Sequence, residues 1–471
     1  MIYLKYLHPN SKLHFSGIGG IGMSGLAEIM HKLGYNVQGT DVSKNYITKK
    51  LENSGIKIFY NHSDSDLRGV SFLIKSSAIK EDNPEVKRCI KSGVPIVSRA
   101  ELLAELMRSK IAVSISGSHG KTTTTSFIAT LLEKAGLDPT VIVGGIINNK
   151  STNAYLGLGN FMVVEADESD ETFIKIPTTV AVITNMDKEH MDFYKSYGNL
   201  KKAFRKFIEG IPFYGFGVLC IDDKELNKLN KKITTREIIT YSLEKKQADV
   251  FATNIRKSKE GHSFDICFGE KFDNFTIKEV KLNIPGLHNV LNSLAAAAVA
   301  ARFYLNLDCL KEAFGEFDNV KRRFTLTNEV DGIKFIDDYA HHPREIKATL
   351  AAAKQVVSAT KGKVFVIFQP HKYTRLNNLF NEFVHCFKDA DIVYIADVYS
   401  ANEEPIVGAN KESLAKSIRE LYKDKKTQPL KSWEDLPDII KESCKTNDIV
   451  LFLGAGDITK WAYKVPLLLC K

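Results

Sequence analysis

Two glycine-rich turns, at Gly17 and Gly117, each lie between an apolar strand-like run and a helical run. The first is "LHFSGIGGIGMSGLAEIMHKLGYNVQGTD" from Leu13, and the second is "VSISGSHGKTTTTSFIATLLEKAG" from Val113. A strand, a tight glycine turn and a helix N-terminus together form a cradle for an anion, because the first helical N–H groups have no partner within the helix. Such units are built in parallel α/β layers. A chain that carries two of them is committed to more than one such layer.

In the first turn Gly17, Gly19 and Gly22 fit G-x-G-x-x-G, and the acidic Asp41 follows about 20 residues on, the arrangement of a dinucleotide site. The second turn reads G-x-x-G-K-T, a shortened P-loop with Ile115 where the longer pattern wants glycine. Backbone groups of Gly117, Ser118, His119 and Gly120 would cradle phosphate oxygens, with Thr123 behind them in the helix. Lys121 would reach the β- and γ-phosphates, and the Thr122 hydroxyl would bind Mg²⁺.

At 471 residues the chain needs two to four domains. Residues 12–100 alternate short strands with helices. Parallel-type strands recur at "IAVSIS", "MVVEAD" and "TVAVITN", and again beyond "DNVKRRFT" at "IKFIDDYA", "KVFVIFQP", "DIVYIADVY" and "DIVLFLGAGD". This predicts an α/β protein of three domains: residues 1–107 Rossmann-like, 108–321 a central P-loop domain with a parallel sheet, and 322–471 a second Rossmann-like unit. The polar section 220–282 reads as an antiparallel edge or a small subdomain.

The net charge of +9 comes from lysines spread along the whole chain, so neither composition nor aromatic interleaving points to nucleic acid. Seven scattered cysteines without C-x-x-C suggest neither a disulfide framework nor a zinc ribbon, and they fit a reducing cytosol. The N-terminus lacks a signal-peptide core and no 18-residue apolar run exists, so membrane insertion is not expected.

Carboxylates cluster after "MVV": Glu165, Asp167, Glu168 and Asp170. Glu165, nearest the buried run, is the favoured metal ligand, and Asp170 reads as a solvated loop residue. "VITNMDKEHMDFY" repeats the arrangement with Asn185, Asp187, His190 and Asp192, and His190 is assigned a metal or substrate role. In the third domain "KRRFT", "DDYAHHP" and "FQPHKYTR" gather Arg, His and Tyr at strand ends, which suits an anionic substrate or a transferring phosphoryl group. Asn289 reads as a helix cap.

Taken in order, "GIGGIGMSGLA", "SGSHGKTTTT", "EADESDETF", "TNMDKEHMDFY", "GLHNVLNSLAA", "RRF", "DDYAHHP", "FQPHKYTR" and "GAGDI" closely resemble the Mur ligases, over residues 13–462. These are ATP-dependent amide ligases of peptidoglycan precursor synthesis, and the wording is that of the alanine-adding branch. The resemblance implies that the first loop holds the diphosphate of a UDP-sugar and no nicotinamide. Gly17, Gly19, Gly20 and Gly22 would carry that role, with Asp41, Ser77 and Arg99 near the uridine. It implies UDP-N-acetylmuramate, L-alanine and ATP as substrates, two Mg²⁺ ions, a cytoplasmic monomer or dimer, and an acyl-phosphate intermediate.

By the same resemblance Lys121 and Thr122 bind phosphate and metal, Glu165 ligates one Mg²⁺ and His190 the other. His288, Asn289 and Asn292 line the ATP site, with Arg323 at the phosphates and Asp338 near the ribose. Tyr339, His341, His342 and Arg375 form the amino-acid side, and 318–324 is the hinge of a closing third domain. Two positions depart from the pattern. Lys372 stands where arginine is usual, and Arg205 stands where related ligases carbamylate a lysine, so no such modification is expected. The rival reading is the recycling branch, which adds a whole murein peptide to the same sugar nucleotide.

Overall fold

The computed structural model describes residue 8 and residues 10–62, 66–150, 152–169, 171–358 and 360–470. Asp170 and most of the first nine residues lie outside this set, and with them the expectations placed on Asp170 and on the N-terminal leader.

Three sheets organise the chain. The first has five parallel strands in the order Lys57–Phe59, Asn36–Thr40, Lys12–Ser16, Val70–Lys75, Ile96–Ser98. The chain leaves Lys12–Ser16 in one direction and later returns on its other side at Val70–Lys75. That reversal opens a crevice at the carboxyl ends of the two strands, and the first glycine turn lies there.

The central sheet runs Thr276–Leu282, His262–Phe268, Val250–Lys257, Glu237–Ser242, Phe216–Cys220, Val180–Ile183, Ile111–Ser116, Phe161–Glu165, Thr140–Ile147, Thr152–Tyr155. Ile111–Ser116 pairs in parallel with Val180–Ile183 on one side and Phe161–Glu165 on the other. The loops that follow these three strands therefore open at one end of the sheet. This topology brings together the P-loop, the acidic string and the His190 loop.

The third sheet runs Thr325–Val330, Ile333–Asp338, Ile449–Leu453, Val364–Phe368, Ile392–Ile395, Lys426–Pro429. It is parallel except for its first pair. Its "VFVIF" strand shows why the apolar runs are continuous. Val364, Val366 and Phe368 face one buried layer while Phe365 and Ile367 face the other, because successive side chains point to opposite faces and helices cover both.

By contact density the chain forms two compact units, one of Met1–Ala252, Ile266–Ile277 and Leu291–Phe314, the other of Thr253–Asp265, Lys278–Val290 and Gly315–Lys471. The section 220–282 proves to be the edge of the central sheet, yet its first pairs, through Phe216–Cys220 and Glu237–Ser242, are parallel. The Ala-rich helix Leu287–Arg302 is fully buried from Ala295 to Ala298. That explains its lack of a polar face. Among the described residues no helix is long and apolar enough to cross a membrane.

Within the first unit the helix Ile21–Lys32, which follows the first glycine turn, packs on the strand Thr152–Tyr155. The Asn153 amide donates to the Ile21 carbonyl at 2.5 Å, and Thr152 Oγ1 donates to Glu28 Oε2 at 3.2 Å. Close approach also governs the first sheet. A Cβ on Gly39 would meet the Phe15 carbonyl oxygen at 2.5 Å and Ile18 Cδ1 at 2.7 Å. Backbone cannot yield as a side chain can, so Gly39→Ala should cost about 1–3 kcal/mol of stability. Urea unfolding checks this, and an unchanged midpoint would show that the strands separate freely.

Candidate active site

The P-loop is a turn with two residues in backbone conformations that favour glycine, Gly117 at φ +128° and Gly120 at φ +80°, followed by the helix Lys121–Lys134. The turn is braced by the end of the neighbouring strand. Ser118 N–H donates to the Asn185 carbonyl at 3.2 Å, and His119 N–H donates to Asn185 Oδ1 at 2.9 Å. In return, Asn185 Nδ2 and Thr184 Oγ1 donate to the His119 carbonyl at 2.8 and 2.6 Å. The hydroxyl run is buried: Thr125 and Ser126 donate back to the carbonyls of Lys121 and Thr122, and Thr122 and Thr123 lie at the helix start. Asn292 packs against the turn, since a Cβ on Gly120 would meet its Oδ1 at 2.8 Å.

Lys121 Nζ donates to the Gly117 carbonyl at 2.7 Å and to Glu168 Oε1 at 2.8 Å. Glu168 is fully buried. Burial alone would push its carboxyl up, but the Lys121 ammonium and His190 bring it down to about 2. His190 Nε2 stands 3.7 Å from the same oxygen. Burial pulls its imidazole down, and the Glu168 carboxylate outweighs this and raises it. His190 has φ +56°, in the left-handed region that histidine enters more readily than most residues.

Asp167, Glu168 and His190 can each offer a ligand atom within 4.8 Å of the others. That donor set of two carboxylates and an imidazole fits a small divalent cation. Glu165, the favoured ligand, sits at the end of its strand with Oε2 accepting the Gly144 N–H at 2.8 Å. Spacing named Glu168 as one of four acids without singling it out. The turn after Ala166, whose N–H donates to the Ile115 carbonyl, places it over Lys121.

The first glycine turn uses most of its own donors. Gly17 and Ile18 N–H both donate to the Thr40 carbonyl at 2.9 Å, and Gly19 N–H donates to Asp41 Oδ2 at 2.8 Å. Gly20 N–H donates to the Gly17 carbonyl at 3.3 Å. Ile21 and Gly22 open the helix that follows, with the Arg99 side chain against Gly22. Asp41 thus acts inside the loop, and Ser77 is exposed.

In the second unit His288 is exposed on the first turn of its helix. Asn289 caps nothing: the helix starts earlier, at Leu287, and the Asn289 amide donates back to the Pro285 carbonyl at 2.8 Å. Asp338 accepts Phe324 N–H on one oxygen (2.7 Å) and Ala340 N–H on the other (2.8 Å). Burial pushes its carboxyl up to about 6, against the pull of Arg323. The guanidinium groups of Arg322 and Arg323 lie 4.8 and 5.3 Å from the Tyr339 ring centre.

Glu345 Oε2 accepts both the His341 and His342 N–H groups, at 3.1 and 3.2 Å. His341 Nδ1 lies 3.0 Å from the Tyr339 carbonyl, which fixes the proton on Nδ1. Burial, with help from Arg375 and His371 and against Glu345, lowers this imidazole to about 3. Arg375 reaches His371, which stacks on Tyr399 at 5.4 Å. The sequence reading did not single out His371.

Parallel α/β sheets, a P-loop with a buried lysine–carboxylate–histidine cluster, and a second glycine turn suited to a diphosphate together define an ATP-using enzyme of the multidomain ligase type. Residues 12–111, 115–300 and 322–456 match the Mur ligase family catalytic domain, the Mur ligase middle domain and the Mur ligase glutamate ligase domain. The chain is 49% identical over 467 residues to UDP-N-acetylmuramate–L-alanine ligase of Rickettsia felis, with 98% of each chain covered. It is 50% identical over 456 residues to the enzyme of that name from Rickettsia canadensis, with 96% of each covered. The crystal structure of UDP-N-acetylmuramate-alanine ligase from Thermotoga maritima superposes with a TM-score of 0.79 at 30% identity, covering 98% of this chain and 100% of that one. A murein peptide ligase from Psychrobacter arcticus shares the fold, with a TM-score of 0.69 at 22% identity, covering 98% and 99%. The chain belongs to the Mur ligase family.

The Lys121–Glu168 pair gives a direct test of the cluster. Lys121→Met strands a buried carboxylate and should cost about 3–5 kcal/mol of stability. Glu168→Gln in the same chain should restore much of that loss. If the two losses simply added in denaturant unfolding, the pair would not be coupled.

Proposed function

We infer that this chain is an ATP-dependent ligase that joins L-alanine to the lactyl carboxylate of UDP-N-acetylmuramate, the first amino-acid addition of peptidoglycan precursor synthesis. Half of its residues are identical, over nearly its whole length, to ligases that carry that name, and this observation carries the reading. The rival, addition of a whole murein peptide, has on its side a structural neighbour at 22% identity, a likeness of fold. Synthesis in the cytoplasm from soluble precursors fits a chain whose described helices are too short to span a membrane.

The lactyl carboxylate attacks the γ-phosphorus of ATP and ADP leaves, giving an acyl phosphate. The alanine amine then attacks the acyl carbon, the tetrahedral adduct collapses, and phosphate departs as the amide forms. Both steps demand positioning and neutralisation of spreading negative charge more than covalent help from the protein. Ile21 and Gly22 N–H, held by the turn of Gly17, Gly19 and Gly20, receive the sugar diphosphate, with Asp41, Ser77 and Arg99 framing the uridine. The turn Gly117–Gly120 and Lys121 hold the ATP phosphates, and Asn292 packs behind them. His288, Asn289, Arg323 and Asp338 complete the nucleotide side.

Thr122, Glu165 and His190 would hold two Mg²⁺ ions, and His190 stands in a donor set with Asp167 and Glu168 that fits one such ion. Bound there, Mg²⁺ would neutralise phosphate charge. On the amino-acid side Arg375 pairs with the alanine carboxylate. Tyr339, His341 and His342 stand round the acyl group, held in place by Glu345.

Phosphate release from Mg·ATP should require both UDP-N-acetylmuramate and an amino acid, with L-alanine preferred over glycine and L-serine. Lys121→Ala should lower the rate by ~10³-fold, in keeping with the loss of a charge-stabilising group. Turnover with the murein tripeptide and none with L-alanine would assign the chain to the recycling branch.

A further inference from the structure

A further carboxylate is buried against the first sheet, away from the P-loop. Glu85, 1% exposed, lies in the first turn of the helix Pro84–Lys91. Four described donors converge on it. His14 Nε2 stands 3.1 Å from Oε1, while Ser16 Oγ, Thr40 Oγ1 and His62 Nδ1 stand 2.6, 2.8 and 2.9 Å from Oε2. Gln38 settles the His14 tautomer. Its amide nitrogen donates to the Asp66 carbonyl at 2.7 Å and to His14 Nδ1 at 3.0 Å, so Nε2 carries the proton aimed at Glu85. A carboxylate, with about four acceptor sites and no donor, matches these partners, and an amide does not.

What the carboxylate ties together is telling. Ser16 is the last residue before Gly17, and Thr40 is the last before Asp41. The Thr40 carbonyl accepts both Gly17 and Ile18 N–H, and the Asp41 carboxylate accepts Gly19 N–H. One oxygen of Glu85 therefore grips the two adjacent strand ends on which the first three loop donors depend. A core carboxylate is costly to bury and stays only where its hydrogen bonds are made. Apolar residues at these positions would pack a sheet equally well, so the network has a use beyond stability.

We propose that Glu85 is a positioning residue for the sugar-nucleotide site. Through Ser16 and Thr40 it fixes the spacing of the two strand ends, and so the aim of the Ile21 and Gly22 N–H groups at the diphosphate. The proposal rests on the reading of this loop as the UDP-sugar site. It separates Glu85 from Glu168: the first governs the sugar nucleotide and the second the ATP phosphates.

Thr40→Val and Ser16→Ala remove the two hydroxyl donors with little change of shape, and Glu85→Gln replaces one acceptor oxygen by an NH2, so that either the His14 side or the His62 side meets a donor. Binding of UDP-N-acetylmuramate and of a non-hydrolysable ATP analogue is measured separately by calorimetry on the full chain, with the unfolding midpoint of each variant. The double variant Ser16→Ala/Thr40→Val should bind the sugar nucleotide about ten-fold more weakly, as sub-ångström misplacement of donors would. Its ATP-analogue affinity and its KM for L-alanine should stay within about two-fold. A merely structural network would lower the midpoint and leave sugar-nucleotide affinity of the folded protein unchanged, and that result overturns the proposal. Should Glu85→Gln fail to fold, the hydroxyl variants still decide. If the unaltered protein binds ATP analogue and no UDP-sugar, the reading of the loop falls, and the proposal with it. If the unaltered protein and the variants bind the UDP-sugar equally, the proposal alone falls.

Discussion

The chain depends on holding backbone N–H groups ready for phosphate without letting them turn inward. A glycine turn can bend enough to do this, but it can also collapse onto its own carbonyls. Both turns here meet the problem in the same way. Gly17 and Ile18 donate to the Thr40 carbonyl, and Ser118 and His119 donate to Asn185. Thr40 ends the strand next to Lys12–Ser16, and Asn185 follows the strand next to Ile111–Ser116. Some donors are spent on the neighbouring strand so that those of the following helix face out. Parallel pairing is therefore part of the binding device, because only parallel neighbours end where the turn begins.

Buried carboxylates show which force wins in each setting. Glu168, Glu85 and Asp338 are all removed from water. At Glu168 a lysine ammonium touches the carboxylate, and opposite charges near 4 Å interact by about 4 kcal/mol at an effective dielectric of 20, enough to hold the anion. Asp338 accepts two backbone N–H groups and a hydroxyl, and Arg323 pulls its carboxyl down, yet burial prevails there. Glu85 is met by imidazole and hydroxyl donors. The first arrangement holds its anion by a cation, and the other two rest on hydrogen bonds from fixed groups of the fold.

This difference explains what could be read from the sequence. The glycine turns, Lys121 and His190 announce themselves because their chemistry needs particular residue types at short, fixed spacings. The strands on both faces of the third sheet were legible because burial on two sides leaves an uninterrupted apolar run. Edge strands such as Thr152–Tyr155 and Lys426–Pro429 carry no such run and were missed. Glu168 was seen only as one of several acids, since the backbone turn after Ala166 decides which carboxylate faces Lys121. Glu85 and His14 lie 71 residues apart. Each alone is an ordinary polar residue, and only the fold makes them a pair.

The amino-acid side carries the same reasoning into the reaction. His341 donates its Nδ1 proton to the Tyr339 carbonyl, so its Nε2 is a bare acceptor. With burial and Arg375 holding the imidazole at about 3, it stays neutral at any working pH. A group that weak cannot strip a proton from an alkylammonium, which holds its proton far more tightly. It can accept a hydrogen bond from the incoming amine and orient the lone pair toward the acyl carbon. Arg375 would repel a charged imidazole, so it adds to burial in keeping His341 uncharged. Lys372, with its ammonium 3.9 Å from a Glu403 carboxylate already bound to Thr374, cannot act as a planar fork would. The arginine three residues further on is the cation that the geometry can use.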